Sequence, residues 1–318
     1  MSIIERPAPP AQLPMSMRRR PFRLIGELIN NSFARAARAW KARDLTGFQH
    51  LASRQTELGA DFLTLNIDGT QSVRVQPAEM IAFLPDLVPA IQEVTNVPIS
   101  FDNPSLDFHR HALKYYDRTK NGAPIVNSVA ASRPELDAML ELVREYDTRV
   151  IGMASEKFIE GGSAQCTTAN DVYYATKKLV DLLREKAGRT NDQIIIDPGL
   201  APVGADTYGL VNMGLDAMRL IRSDADLDGI HLSVGLTNFS FGTPKEIREG
   251  LESAYLTLAV EAGLDFVLGN PEKDLGTLEP DNRYVRVLME ALEEGRPVNG
   301  ESQEDAGFRQ AEKIMELF

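Results

Sequence analysis

The chain has 318 residues, 43% of them hydrophobic and 25% charged, with a formal net charge of −12 at pH 7. That is the composition of a globular protein with ample core, and so acidic a balance argues against nucleic acid or an anionic membrane as a general partner, since both reward basic surfaces. The lone Cys166 excludes an internal disulfide, and with no apolar run of signal-peptide or membrane-spanning length a cytoplasmic protein is expected.

Residues 1–20 hold four prolines and the basic cluster Arg18 to Arg20 without a periodic apolar face, the pattern of a flexible N-terminal arm. From Arg23 onward eight short apolar runs follow one another: RLIGELIN, FLTLNI, PISFD, PIVNSV, RVIGMA, QIIIDP, IHLSVGLT and FVLGN. Between them, residues 44–58, 77–94, 105–119, 133–146, 167–187, 211–223 and 244–262 repeat their apolar residues at three- and four-residue spacing, and 282–294 does so after the last run. Such segments read as amphipathic helices. Strands apolar along their length and alternating with helices imply a parallel sheet covered by helices, and eight units favour closure into a (β/α)8 TIM barrel over residues 21–295. Residues 296–318, ending in the amphipathic AEKIMELF, are expected as a helical appendage packed on the barrel or on a partner subunit.

Polar residues stand at the C-terminal ends of all eight runs: Glu27 and Asn30, Asn66 and Asp68, Asp102, Asn127, Glu156, Asp197, Asn238 and Asn270. Barrel active sites are built at this face. Any one of these residues could be a turn former or helix cap, as Asn238 would be before Thr243–Pro244. The set is harder to explain that way, because Asn66, Asn127 and Asp197 interrupt apolar strands, where an unpaired polar group costs roughly 1–3 kcal/mol. No metal site is expected: His109 and His111 are two apart on a helix and do not share a face, while His50 on a helix and His231 at the opposite end of its strand read as structural. With many amides and carboxylates, little positive charge and no Gly-rich phosphate loop, such a mouth suits a neutral or cationic heterocycle rich in N–H donors.

The same strand ends carry a resemblance. IGELIN, GADFLTLNIDG, SFDN, IVNS, IIIDP and GLTNFS resemble, in order, the pterin-binding segments of methyltetrahydrofolate–corrinoid methyltransferases, over approximately residues 23–275. The resemblance implies a pterin-binding (β/α)8 barrel, usually a homodimer, that moves a methyl group between N5 of tetrahydrofolate and the cobalt of a corrinoid (cobalamin) on a separate protein. It implies that Asp102, Asn127 and Asp197 hold the pterin ring of tetrahydrofolate or its 5-methyl form, that Asn66 and Gly235 line the pocket, that Glu27 and Asn30 shape its floor, and that Asn238 is the catalytic contact to N5. Two carboxylates can accept from the 2-amino group and ring N–H donors of a pterin, and an Asn can donate and accept at once. Phe241 stands where the family often has Gln, Thr64 where it often has Asp, and Asn103–Pro104 where it has a Ser–Thr pair. The chain has no Asp-x-His-x-x-Gly segment, the usual lower-ligand motif of corrinoid modules, so the corrinoid is expected on a partner. Two other readings are a dihydropteroate synthase-like enzyme, which shares the Asp–Pro–Gly segment but normally has a Ser–Arg–Lys cluster where this chain reads GLTNFSFG, and a noncatalytic folate-binding subunit.

Overall fold

β-Branched and aromatic runs become strands where a closed sheet buries both of their faces, and that is how this chain is arranged in its computed structural model, which describes residues 20–317. The expected arm, residues 1–20, lies outside them apart from Arg20, whose guanidinium donates to the carbonyls of Leu58 and Gly59. The strands are β1 Arg23–Gly26, β2 Phe62–Leu65, β3 Ile99–Asp102, β4 Ile125–Ala130, β5 Arg149–Met153, β6 Glu156–Ile159, β7 Gly162–Gln165, β8 Ile194–Asp197, β9 His231–Gly235 and β10 Phe266–Gly269. Eight of them close a parallel barrel in the order β1, β10, β9, β8, β5, β4, β3, β2, while β6 and β7 form a separate antiparallel hairpin.

The register sorts the side chains. Ile25, Phe62, Ile125, Ile151, Ile195 and Phe266 pack together as a plug in the barrel interior, each contributing roughly 1.5–3 kcal/mol by leaving water. Two residues further along each of these strands the same inward face approaches the C-terminal rim as Glu27, Thr64, Asn127, Met153, Asp197 and Leu268, and Asp102 of β3 stands beside Asn127. The eight expected strands are present, and so is the closed barrel.

Helices cover the outside. Residues 77–94 form the helix Pro77–Val94, with Pro in its first turn, where the missing N–H costs nothing. The expected helix over 105–119 is instead two, Leu106–Tyr115 and Arg118–Asn121, because the Asp117 carboxylate accepts from Thr119 N at 2.9 Å and starts a new turn. A helix at Ala34–Ala42 was not expected. Its buried face is Ala36, Ala39 and Trp40, too weakly apolar among arginines to show as a period. The β6–β7 hairpin was also missed, although Gly161–Gly162 between short runs is a turn signal.

The C-terminal helix Gln303–Ile314 packs back on the barrel. Buried Gln310 donates from Nε2 to Val203 O at 3.2 Å, and Gly307 lets the helix approach the backbone at Asp206 and Thr207 so closely that a Cβ there would sit 2.8 Å from either. Asp206 in turn accepts from Leu210 N and Val211 N, both at 2.8 Å, and so holds the start of the helix Leu210–Ser223. Among the described residues, no helix is long and apolar enough to cross a membrane.

Candidate active site at the barrel mouth

A cavity of 380 Å³ opens at the C-terminal rim, and Asp102, Asn127, Asp197, Gly235 and Asn238 all line it, with Met153, Ser155, Gln165, Met213 and Leu268 among the other walls. Strand register alone brings the first three together: Asp102 is the partner of Asn127 between β3 and β4, and Asp197 closes β8 beside Met153 of β5. After Asp197 the chain must turn sharply off the strand. Gly199 does this at φ +84°, where a Cβ would also lie 2.8 Å from Ser155 Cβ, and its N–H donates to Asp197 Oδ1 at 2.8 Å.

The electrostatics follow from enclosure. Burial pushes the Asp197 carboxyl up to about 7, with the Asp102 charge adding to it against the bond from Gly199. Burial likewise raises Asp102 to about 6, although Asn66 donates to it. Two buried carboxylates on one small cavity resist ionising together, and a ligand that offers N–H donors or positive charge relieves both.

Asn66 does not line the cavity. Its Nδ2 donates to Asp102 Oδ2 at 3.1 Å and its Oδ1 accepts from Asp68 N at 3.2 Å, so it orients Asp102 from behind. Asp68 itself accepts from Asn103 Nδ2, and the Asn103 carbonyl accepts from the buried His109 at 2.8 Å. Burial lowers His109 to about 4, which leaves it a neutral structural residue. Glu27 and Asn30 also lie away from the cavity wall. Glu27 is buried and accepts from Thr237 Oγ1 at 2.6 Å; Asn30 accepts from Ser32 N at 2.8 Å and closes its own turn. Glu156, in the hairpin, accepts from Ser132 N at 2.8 Å and plays no part in the cavity.

Asn238 stands on the one-turn helix Leu236–Phe239. Its side chain is exposed at the rim and, among the described residues, makes no hydrogen bond. It is not the cap of the next helix, Lys245–Glu261, whose N-cap is Pro244 without a side-chain bond. Gly235 makes room for it: a Cβ there would lie 3.1 Å from Asn238 Nδ2. Sequence reasoning missed Ser155 and Gln165, which the unforeseen hairpin brings over the rim, and Met213, delivered by a helix whose surface looked merely amphipathic. Cys166 is buried, with its Sγ donating to Ala154 O at 3.3 Å, and burial pushes its thiol up to about 11. It is no nucleophile. Among the described residues no group of His, Cys, Asp and Glu could hold a metal ion.

The chain is 23% identical over 285 residues to the methylcorrinoid:tetrahydrofolate methyltransferase of Eubacterium limosum, covering 86% of this chain and 97% of that one. It is 25% identical over 277 residues to methionine synthase of Mycobacterium leprae, where the match spans 84% of this chain but only 21% of the relative. In fold it is similar to the 7,8-dihydropteroate synthase of Vibrio fischeri ES114, with a TM-score of 0.57 at 20% identity over 87% of this chain and 95% of that one. Residues 27–268, which include every residue lining the cavity, match the family described as pterin binding enzyme, and the chain belongs to that family.

Proposed function

We propose that the cavity holds the reduced pterin ring of tetrahydrofolate or 5-methyltetrahydrofolate, and that the enzyme moves a methyl group between N5 of that ring and the cobalt of a corrinoid presented by a partner protein. The observation that carries this reading is the placement of Asp102, Asn127 and Asp197 around one cavity with the unpaired Asn238 amide at its rim. The two carboxylates accept from the 2-amino group and ring N–H donors, and Asn127 pairs with a mixed edge. The relative from Eubacterium limosum, matched along nearly its whole length, supports the same chemistry.

Asn238 serves the reacting nitrogen. Transfer to the folate uses the N5 lone pair to form the new N–C bond while the cobalt–carbon pair stays on cobalt and N5 gives up its proton. Transfer from the folate needs a proton or strong hydrogen bond at N5, so that the breaking C–N pair can stay on nitrogen. A carboxamide can accept from N5–H or donate to its lone pair, and either bond strengthens as charge develops there. The residues suit this substrate: three polar groups face the ring and apolar Met153, Met213 and Leu268 supply the flat walls.

A dihydropteroate synthase reading is favoured by the fold but not by the site, because no Lys or Arg is among the residues that line the cavity and such a reaction must hold a diphosphate. Mixing the purified protein with tetrahydrofolate and methylcobalamin, and following the corrinoid absorbance, tests the proposal. Demethylation with formation of 5-methyltetrahydrofolate is expected; folate binding without transfer, with methylcobalamin or with a corrinoid protein, would leave a binding module instead.

A further inference from the structure

The segment that carries Asn238 is tied down on both sides of that residue, and one of the ties is an ion pair set into the protein interior. Thr237, just before it, donates to Glu27. Phe239, just after it, packs its ring against Tyr255 with centroids 4.5 Å apart. Ser240 donates from Oγ to Glu252 Oε1 at 2.5 Å. Glu252 is 1% exposed on the helix Lys245–Glu261, and Lys273, in the turn after β10, reaches both of its oxygens at 2.7 Å. Glu252 and Tyr255 are three residues apart, so they present one face of that helix to the segment.

A buried carboxylate is a costly anchor. Burying the charges of an ion pair loses more hydration than an apolar pair of the same volume would, and the attraction only partly offsets it. What the pair supplies in exchange is direction: a hydroxyl has one proton to donate, and a carboxylate fixed by Lys273 gives it one place to go. The far side of the segment is closed in the same manner, since Thr243 Oγ1 donates to Ser240 O at 2.7 Å and Arg248 donates twice to Thr243 O. Asn238 and the exposed Phe241 are left free on a backbone fixed at Thr237, Phe239, Ser240 and Thr243, and of these two Asn238 is the one that lines the cavity.

We propose that Glu252, neutralised by Lys273, is a positioning residue for the methyl transfer, acting through Ser240 to hold the short helix at the height where the Asn238 amide meets N5. This rests on the function proposed above. Glu252 touches neither substrate; it sets where Asn238 stands, and a shift of about 1 Å in a reacting group can cost roughly a hundredfold in rate.

The test is a mutant cycle on Ser240→Ala, Asn238→Ala and the double variant, with Glu252→Gln as a second probe of the same tie. Single-turnover transfer is followed with tetrahydrofolate and methylcobalamin, and folate affinity by calorimetry. Ser240→Ala and Glu252→Gln should each slow transfer roughly ten- to a hundredfold while folate affinity stays within about twofold, and adding Ser240→Ala to Asn238→Ala should slow it no further. A structural role would instead give additive losses and a weakened folate complex, which overturns the proposal. A slow Asn238→Ala with a native Ser240→Ala overturns the role of Glu252 alone; a native Asn238→Ala overturns both this proposal and the catalytic role of Asn238. Independently of turnover, crystals of Ser240→Ala should show the Asn238 amide displaced from the rim, and an unmoved Asn238 would overturn the inference.

Discussion

Asn66 donates from Nδ2 to Oδ2 of Asp102 at 3.1 Å while its own oxygen accepts from Asp68 N, so the orientation of a cavity carboxylate is set by an amide that never reaches the cavity. Removing that donor should lift Asp102 further above about 6, the value to which burial already raises it against this bond. In Asn66→Ala, folate affinity at neutral pH should fall roughly three- to tenfold, because less of Asp102 is ionised and its carboxylate is no longer held in place. Titration calorimetry at several pH values checks this, because the pH at which binding is half lost should move upward. An unchanged profile would detach Asn66 from Asp102.

Asp197 and Asp102 are held well above the ordinary carboxylate range by burial, with the Asp102 charge adding to the rise of Asp197 and the Asp68 charge to that of Asp102. A carboxyl whose value is raised on folding lends stability at low pH that is lost as pH climbs through its folded value. The unliganded protein should therefore lose stability between about pH 4 and pH 7 from these groups, and Asp197→Asn should melt higher than the native chain at pH 8, by roughly 3 °C for about 2 kcal/mol. At pH 4 the difference should vanish. Folate binding should run the other way, weakening as pH drops first through about 7, where Asp197 takes up its proton, and then through about 6, where Asp102 does. Thermal melts with and without 5-methyltetrahydrofolate across this range give both slopes.

Gly235 is needed for space. Its φ of −81° suits any residue, but a Cβ would come 3.1 Å from Asn238 Nδ2. Gly235→Ala should leave the melting temperature nearly native and slow methyl transfer roughly tenfold or more by pushing the amide aside. A fast Gly235→Ala enzyme would mean that Asn238 has room to re-form its contact.

The C-terminal helix supports the cavity from outside. Gly307→Val would drive a side chain into the backbone at Asp206 and Thr207, disturbing the carboxylate that holds Leu210 and Val211 and with it Leu210 and Met213 of the cavity wall. Destabilisation of roughly 1–3 kcal/mol should come with weaker folate binding, read by denaturant melts and calorimetry.

Much of this site was legible because strand alternation is a short-range rule. Once β3, β4 and β8 are placed, Asp102, Asn127 and Asp197 fall toward the mouth with the other strand-end polar residues, and it was the family resemblance that singled these three out of that set. Asn66, Glu27 and Asn30 stand at similar strand ends, yet the structure turns them onto Asp102, onto Thr237 and onto a local turn. Spacing cannot tell a polar group that meets a ligand from one that meets a neighbour. The ion pair of Glu252 and Lys273 was not legible at all: its members are 21 residues apart, on a helix and a loop, and no spacing rule joins them. The helix Ala34–Ala42 was hidden by its small apolar face, and the hairpin by the shortness of its strands.

The most direct test of a pterin site is calorimetric titration of 5-methyltetrahydrofolate into the native protein and into Asp102→Ala and Asp197→Ala variants shown to be folded. The native chain should bind one folate per cavity, and each variant should lose roughly 1–3 kcal/mol of binding free energy, the range for removing a charge-assisted hydrogen-bond partner. Native affinity in both variants would contradict the assignment, placing the folate, if it binds, somewhere other than between these two carboxylates.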